Sequence, residues 1–299
     1  MTRKQAWIHA LRLHTLPLSL SGIILGSGIA ASQGYFDGTI LGLALLTTLL
    51  FQILSNLAND LGDSLKGTDN AYRIGPMRTV QSGVITVSEM KKAVILTAIL
   101  SLVSAGLLIH FGTKELPNSV LLTYILLAIA CIIAAITYTI GKKAYGYHGM
   151  GDIMVLFFFG GVSVLGVYPL YAKHFDWLII LPALTIGSFS TAVLNLNNMR
   201  DRVNDARSGK YTLVVIMGPN MAKLYHGILI LGGIVSMLIY LIQIRHQWAL
   251  MGLLPCIFLI VHVRKVMATT NPTDFDPELK KVALTTFVFA VLTAFLLQL

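Results

Sequence analysis

The sequence predicts an all-α, polytopic membrane protein, and three observations predict it. Of 299 residues, 56% are apolar and only 12% are charged, against roughly a quarter charged in a soluble domain. Apolar runs of membrane-crossing length recur from one end to the other. The gaps between them are short and hold nearly all the charge. A water-soluble globule is excluded, and residues 1–299 read as one integral membrane domain with its helices around a central cavity.

The runs fall near 15–33, 40–58, 93–112, 119–141, 151–171, 177–197, 222–243, 248–263 and 282–298, each close to the ~20 residues that a helix needs to cross hydrocarbon. That makes nine transmembrane helices. The first run, with Arg3 and Lys4 ahead of it, has the outline of a signal peptide. Its length and the eight runs that follow predict a retained helix.

Nine crossings put the termini on opposite sides, so basic residues set the orientation. Nineteen of the 22 Lys and Arg lie on the side of the N-terminus, and only Lys114, Lys173 and Arg245 lie on the other. This predicts a cytoplasmic N-terminus in the cytoplasmic (inner) membrane. The net charge of +9 then reflects anchoring to the lipid surface and does not predict a nucleic-acid partner. Cys131 and Cys256 sit inside apolar runs, which argues against a disulfide framework or a zinc site.

The acids collect where two of the apolar helices end. After the second run the chain reads Asn56-Leu-Ala-Asn59-Asp60-Leu-Gly-Asp63, then Lys66, Gly67 and Asp69. Asn56, Asp60 and Asp63 share one helical face by spacing. After the sixth run, Asn198, Asp201 and Asp205 do the same. The two stretches look like an internal repeat four crossings apart, so both helices deliver their acids to the same side. Either cluster alone could be a solvated helix end. Together they hold five of the 13 acids, and paired carboxylates on one face call for a cation between them. Hard oxygen ligands suit Mg²⁺, which completes its shell with water and substrate phosphate, so the pattern predicts two magnesium sites gripping one pyrophosphate. Lys66, Arg73 and Arg78 after the first cluster and Lys210 after the second supply cations for the same anion.

A third segment, Lys142-Lys143-Ala-Tyr145-Gly-Tyr147-His-Gly149-Met-Gly-Asp152, is open to two readings: Lys142 and Lys143 reaching a pyrophosphate with Tyr145 and Tyr147 flanking an aromatic ring, or a basic anchor with interfacial tyrosines. Asp152 is expected to cap the fifth helix. The eight histidines show no metal-binding spacing and read as packing residues. Phe157, Phe158 and Phe159 read as a lipid-facing surface.

These residues resemble the UbiA superfamily of intramembrane prenyltransferases over nearly the whole chain. Asn56-Leu-Ala-Asn-Asp-Leu-Gly-Asp63, Arg73-Ile-Gly-Pro-Met-Arg78, Tyr145-Gly-Tyr-His-Gly-Met-Gly-Asp152, and Asn197-Asn-Met-Arg-Asp201 with Gly209-Lys-Tyr-Thr-Leu213 resemble the branch that prenylates 1,4-dihydroxy-2-naphthoate. The resemblance implies that Asn59, Asp60 and Asp63 form a first diphosphate motif and Asp201 and Asp205 a second, both acting through Mg²⁺. It further implies that Arg73, Arg78, Lys143 and Lys210 hold the diphosphate. The wider superfamily often has an acid where this chain has Gly67, which leaves Asp69 doubtful as a ligand.

The implied substrates are a polyprenyl diphosphate and an aromatic acceptor, with membrane lipid as the surrounding partner. Transfer to dihydroxynaphthoate would lose CO₂ and pyrophosphate and give demethylmenaquinone. Another aromatic or haem acceptor is the nearest alternative. The signature of a CDP-alcohol phosphotransferase is absent. A transporter would be expected to place its acids at midplane, commonly within inverted repeats.

Overall fold

In the computed structural model, which describes residues 2–70, 74, 75 and 77–299, all regular structure is helical. Among the described residues, nine helical segments are long and apolar enough to cross a membrane.

The first crossing is broken near its start. α1 (Arg3–Leu11) opens with a capping box between Thr2 and Gln5, and Arg12 then takes a left-handed conformation (φ 49°) before α2 (Leu16–Ser32) begins. α3 (Gly38–Leu65) is capped by the Asp37 carboxylate, and α4 (Val87–Gly112) by a Thr86–Glu89 capping box. α5 (Asn118–Thr137) completes this half of the molecule.

The fifth crossing is irregular: α6 (Gly151–Val155), a π-helical segment (Leu156–Leu165) and α7 (Tyr168–Ala172) follow in series. Asp152 stands in its first turn, where a carboxylate is favoured by the helix dipole, and its carboxylate also meets the Tyr225 hydroxyl. α8 (Ile180–Arg207), the short α9 (Leu213–Met217), α10 (Pro219–Gln243), α11 (Cys256–Ala268) and α12 (Phe275–Leu296) follow. α12 starts well before its apolar run, since the polar first turn with Asp276 and Glu278 finds partners inside the protein.

Two large apolar cores and one small cluster form. One joins α2, α8, α10, α11 and α12 through residues such as Leu25, Phe189, Tyr240, Leu259 and Phe289, with the Phe189 and Phe289 rings edge-on at 5.8 Å. The other joins α1, α3 and α4 through Ala6, Leu54, Leu57, Leu61, Met90 and Val94. Burial of each such aliphatic side chain stabilises by about 1.5–3 kcal/mol in water; in lipid the same contacts act mainly through close packing.

A buried polar chain pins three helices of the larger core together. His226 Nε2 meets His262 Nε2 at 2.8 Å, and His262 Nδ1 meets Glu278 Oε2 at 2.6 Å. Lys265 and Lys281 each donate to Glu278 Oε1 at 2.7 Å. The expectation of isolated packing histidines is corrected here: residues far apart in sequence meet because α10, α11 and α12 lie side by side.

Candidate active site

α3 and α8 are separated by four crossings, run in the same direction and end in the same way. Asp63 and Asp205 each occupy the third-last helical position. Gly67 and Gly209 each follow in a left-handed conformation with φ 70°. The Thr68 and Lys210 amides turn back onto the Asp63 and Asp205 carbonyls at 3.0 and 2.8 Å, which is a Schellman cap on both helices. A side chain at either glycine would be strained, so Gly67 stands where an acid was expected because this position closes the helix.

The caps direct the following segments toward each other. Asn204 Nδ2 donates to the Thr68 carbonyl at 3.0 Å. Tyr147, from the loop after α5, donates to Asp63 Oδ1 at 2.7 Å, shares a 2.6 Å hydrogen bond with the Thr68 hydroxyl, and accepts at its carbonyl from Tyr211 N–H. Lys66 and Lys210 both approach its ring, at 3.8 and 5.6 Å from the centre. The two acidic tips therefore converge.

Lys210 is buried between them, with Nζ 3.7 Å from Asp205 Oδ1. Burial alone would lower its pKa, but the Asp63 and Asp205 carboxylates outweigh burial and hold it above the ordinary lysine value. Lys66 moves the other way: partial desolvation, helped by Lys210 and opposed by Asp63, lowers it. Burial pushes the Tyr138 phenol up to about 12.

A cavity of ≈ 750 Å³ runs inward from these tips between the two cores. Its polar end carries Arg12, Arg78, Arg200, Lys210 and Lys280 against Asp63, Asp69, Asp201, Asp205 and Asp276. Arg200 grips Asp201 with two hydrogen bonds, Nε to Oδ1 at 3.0 Å and Nη2 to Oδ2 at 2.7 Å, and also reaches Asp276 Oδ1 at 2.5 Å and Asn197 Oδ1 at 2.7 Å. Arg12 donates to Asn59 Oδ1 at 2.7 Å.

The repeat is visible on the cavity wall in a definite register. Phe51 and Val193, Gln52 and Leu194, Ser55 and Asn197, Asn59 and Asp201, and Asp63 and Asp205 occupy equivalent positions on α3 and α8, and all line the cavity. Asp60 corresponds to Arg202, and neither lines it. A helix turns about 100° per residue, which sets Asp60 a full step from Asn59 and off the wall. Its carboxylate instead accepts from Thr79 N–H (3.2 Å), the Thr79 hydroxyl (2.5 Å) and Val80 N–H (3.5 Å), fastening the loop that carries Arg78.

The expected site residues thus divide. Asn56, Asn59, Asp63, Arg78, Tyr145, Asp201, Asp205 and Lys210 reach the cavity wall. Asn56 also holds the elbow after α1, donating to the Leu11 carbonyl and the Thr15 hydroxyl. Lys66 stands over Tyr147, Lys143 is exposed, and Asn198 is buried one helical step off the wall. Arg73 lies outside the described residues.

Sequence reasoning missed Arg12, Arg200, Asn204 and Asp276, and gave Tyr147 the role of flanking an aromatic ring where the structure bonds it to Asp63. Only Arg200 and Asn204 carried a signal, since they lie inside the second motif in the phase of Asn197 and Asp201.

The donor chemistry fits magnesium. Asn204 is buried and its Oδ1 has no hydrogen-bond partner, on the same wall as Asp201 and Asp205. Among the described residues no group of three or more Asp, Glu, His or Cys is placed to hold a metal ion by itself. Such an open set of hard oxygens is the kind in which Mg²⁺ keeps waters and takes phosphate oxygens.

Parallel acid-tipped helices over an apolar cavity define a polytopic membrane protein with one charged pocket end. The chain belongs to the UbiA prenyltransferase family, whose family model matches residues 19–276, and it is a prenyltransferase. It is 44% identical to the 1,4-dihydroxy-2-naphthoate octaprenyltransferase of Escherichia coli, over 100% of this chain and 97% of that one. It is 40% identical to the protein of that name from Haemophilus influenzae, over 96% and 93%. Its fold is similar to that of a solved structure from work on digeranylgeranylglyceryl phosphate synthase, with TM-score 0.58 and 19% identity over 97% of this chain and 99% of that one.

Proposed function

We propose that this protein transfers a polyprenyl group from polyprenyl diphosphate to 1,4-dihydroxy-2-naphthoate, giving the hydroquinone form of demethylmenaquinone, CO₂ and diphosphate. The observation that carries this reading is the full-length similarity to two octaprenyltransferases of that specificity. The convergence of two acidic helix tips over one apolar cavity supports it.

In this reading Asp63, Asp201, Asp205 and Asn204 would hold two Mg²⁺ ions, which would supply neutralising charge to a departing diphosphate. Lys210 and Arg78 bind the diphosphate oxygens, and Arg200 and Arg12 orient the acids and amides beside them. The bond between the allylic carbon and the bridging oxygen breaks, and its electron pair leaves with the diphosphate. The ring carbon that bears the carboxylate then bonds to the allylic carbon. Loss of CO₂ returns the electron pair of the broken C–C bond to the ring, so no outside oxidant or base is consumed. The apolar cavity keeps water from the allylic cation. The positive-inside distribution supports placing the acid-bearing end at the cytoplasmic face of the cytoplasmic membrane.

The test is incubation of purified protein with Mg²⁺, a polyprenyl diphosphate and either dihydroxynaphthoate or 4-hydroxybenzoate. Prenylation of the naphthoate with CO₂ release is expected. Prenylation of the benzoate alone would overturn the choice of acceptor.

A further inference from the structure

The apolar end of the cavity lies where two helices adjacent in sequence fail to pack along their length. α5 packs on α3 and α4, whereas the π-helical segment packs on α8 and α2, and each presents a side to the cavity. They are tied by one side-chain hydrogen bond, from the Tyr124 hydroxyl to the Gly166 carbonyl at 2.6 Å.

That carbonyl is an acceptor for a structural reason. In an unbroken α-helix Leu170 N–H would bond to it, but the change from π-helix to α7 sends Leu170 N–H to Val167 instead. A backbone oxygen left over at membrane depth must be satisfied within the protein, and Tyr124 does so. The Tyr124 ring also packs against both the larger core and a small cluster formed by Ala105, Ile109 and Ala128, and it lines the cavity.

Tyr138 lines the polar end of the same cavity, and at 1.5 Å rise per residue Tyr124 lies about 20 Å from it along the helix axis. A cavity of ≈ 750 Å³ is within the range of about 300–1,000 Å³ that accommodates one drug-sized molecule. It holds a diphosphate, an aromatic acceptor and the first part of a tail, but not a whole long polyprenyl chain.

Resting on the prenyl-transfer reading above, we propose that Tyr124 is a specificity-determining residue. Its hydrogen-bonded ring lines the apolar part of the cavity beside the gap between α5 and the π-helical segment and limits how much prenyl tail is sheltered there. A short donor ends before the ring; a long donor meets it.

The experiment uses the full chain in nanodiscs and measures binding of farnesyl, geranylgeranyl and octaprenyl diphosphates in Mg²⁺ by competition, independent of any acceptor. Tyr124→Ala should improve octaprenyl relative to farnesyl binding roughly tenfold, as the longer tail packs into the space the ring leaves. Tyr124→Phe keeps the ring and loses the tie, and should shift the same ratio about threefold. A merely structural role would weaken all three donors alike. A farnesyl-to-octaprenyl ratio unchanged in both variants overturns the proposal, and if Tyr124→Ala fails to fold, Tyr124→Phe decides it. Failure of the acceptor reading is seen separately, as a wild-type protein that binds the donors and does not prenylate naphthoate. A wild-type protein that binds none of the donors overturns both.

Discussion

Substitution of Asp60 separates two roles that a buried acid beside a diphosphate site can have. The structure gives its carboxylate three donors, all from Thr79 and Val80, and Thr79 is itself fully buried. Asp60→Asn keeps an acceptor for Thr79 but loses charge assistance and turns an amide donor toward a backbone donor, a cost of about 1–3 kcal/mol. Asp60→Ala leaves the Thr79 amide and hydroxyl without partners, at about 1–3 kcal/mol each. Thermal unfolding in detergent should therefore rank wild type above Asp60→Asn above Asp60→Ala. Arg78 immediately precedes Thr79, so loosening this loop should raise KM for the prenyl diphosphate while the Mg²⁺ concentration giving half-maximal rate stays near wild type. An Asp60→Asn protein with unchanged Tm and a metal requirement raised roughly tenfold or more, the scale of a lost metal contact, would refute the reasoning and make Asp60 a ligand.

Gly209→Ala should lower stability by about 1–2 kcal/mol, the cost of a left-handed residue with a Cβ, and should raise KM for the donor because Lys210 follows it. Gly34→Ala, also at positive φ (87°) but at the opposite end, should lower Tm without changing KM. Lys210→Ala should raise the donor KM roughly tenfold or more, a loss of at least about 1.4 kcal/mol, and Lys210→Arg should restore part of it. Because the pKa of Lys210 is raised, its ammonium persists below the ordinary lysine value and is lost only as pH climbs through the higher folded value, so the pH–rate profile should show no basic limb from this residue below about pH 10. Glu278→Gln, which weakens the buried bond to His262, should cost about 1–3 kcal/mol and leave the Mg²⁺ dependence unchanged.

The membrane class and the parallel placement of α3 and α8 were legible because hydrophobic length and the parity of crossings are properties of the linear chain. The acidic tips were legible for the same reason. Their fine assignment was not. Spacing alone grouped Asn56, Asp60 and Asp63 on one face, but a face about 100° wide does not say which edge meets the cavity. That was decided by the loop at Thr79, which captures Asp60 from the other side. Tyr147 reaches Asp63, and Arg12 reaches Asn59, only because loops distant in sequence fold over the same helix end. The His226–His262–Glu278 chain likewise depends on three neighbouring helices and has no local pattern to betray it.

The charge arrangement at the polar end has a consequence for the order in which ligands hold. Among the described residues five Lys and Arg face five Asp, with ion pairs between Arg200 and Asp201 at 2.7 Å and between Lys210 and Asp205 at 3.7 Å. A wall balanced in this way offers little net attraction to a multiply charged diphosphate, and an uncompensated charge taken into such a site costs several kcal/mol. Mg²⁺ alone meets the same barrier with the opposite sign. Donor and metal each cancel the penalty of the other, so each should bind weakly alone and tightly together. Linkage requires the factor by which Mg²⁺ tightens the donor to equal the factor by which the donor tightens Mg²⁺. Calorimetric titrations of each ligand with and without the other should return one shared coupling, and it should shrink in Asp205→Asn. Two affinities that prove independent would mean that the acids do not hold the metal against the diphosphate.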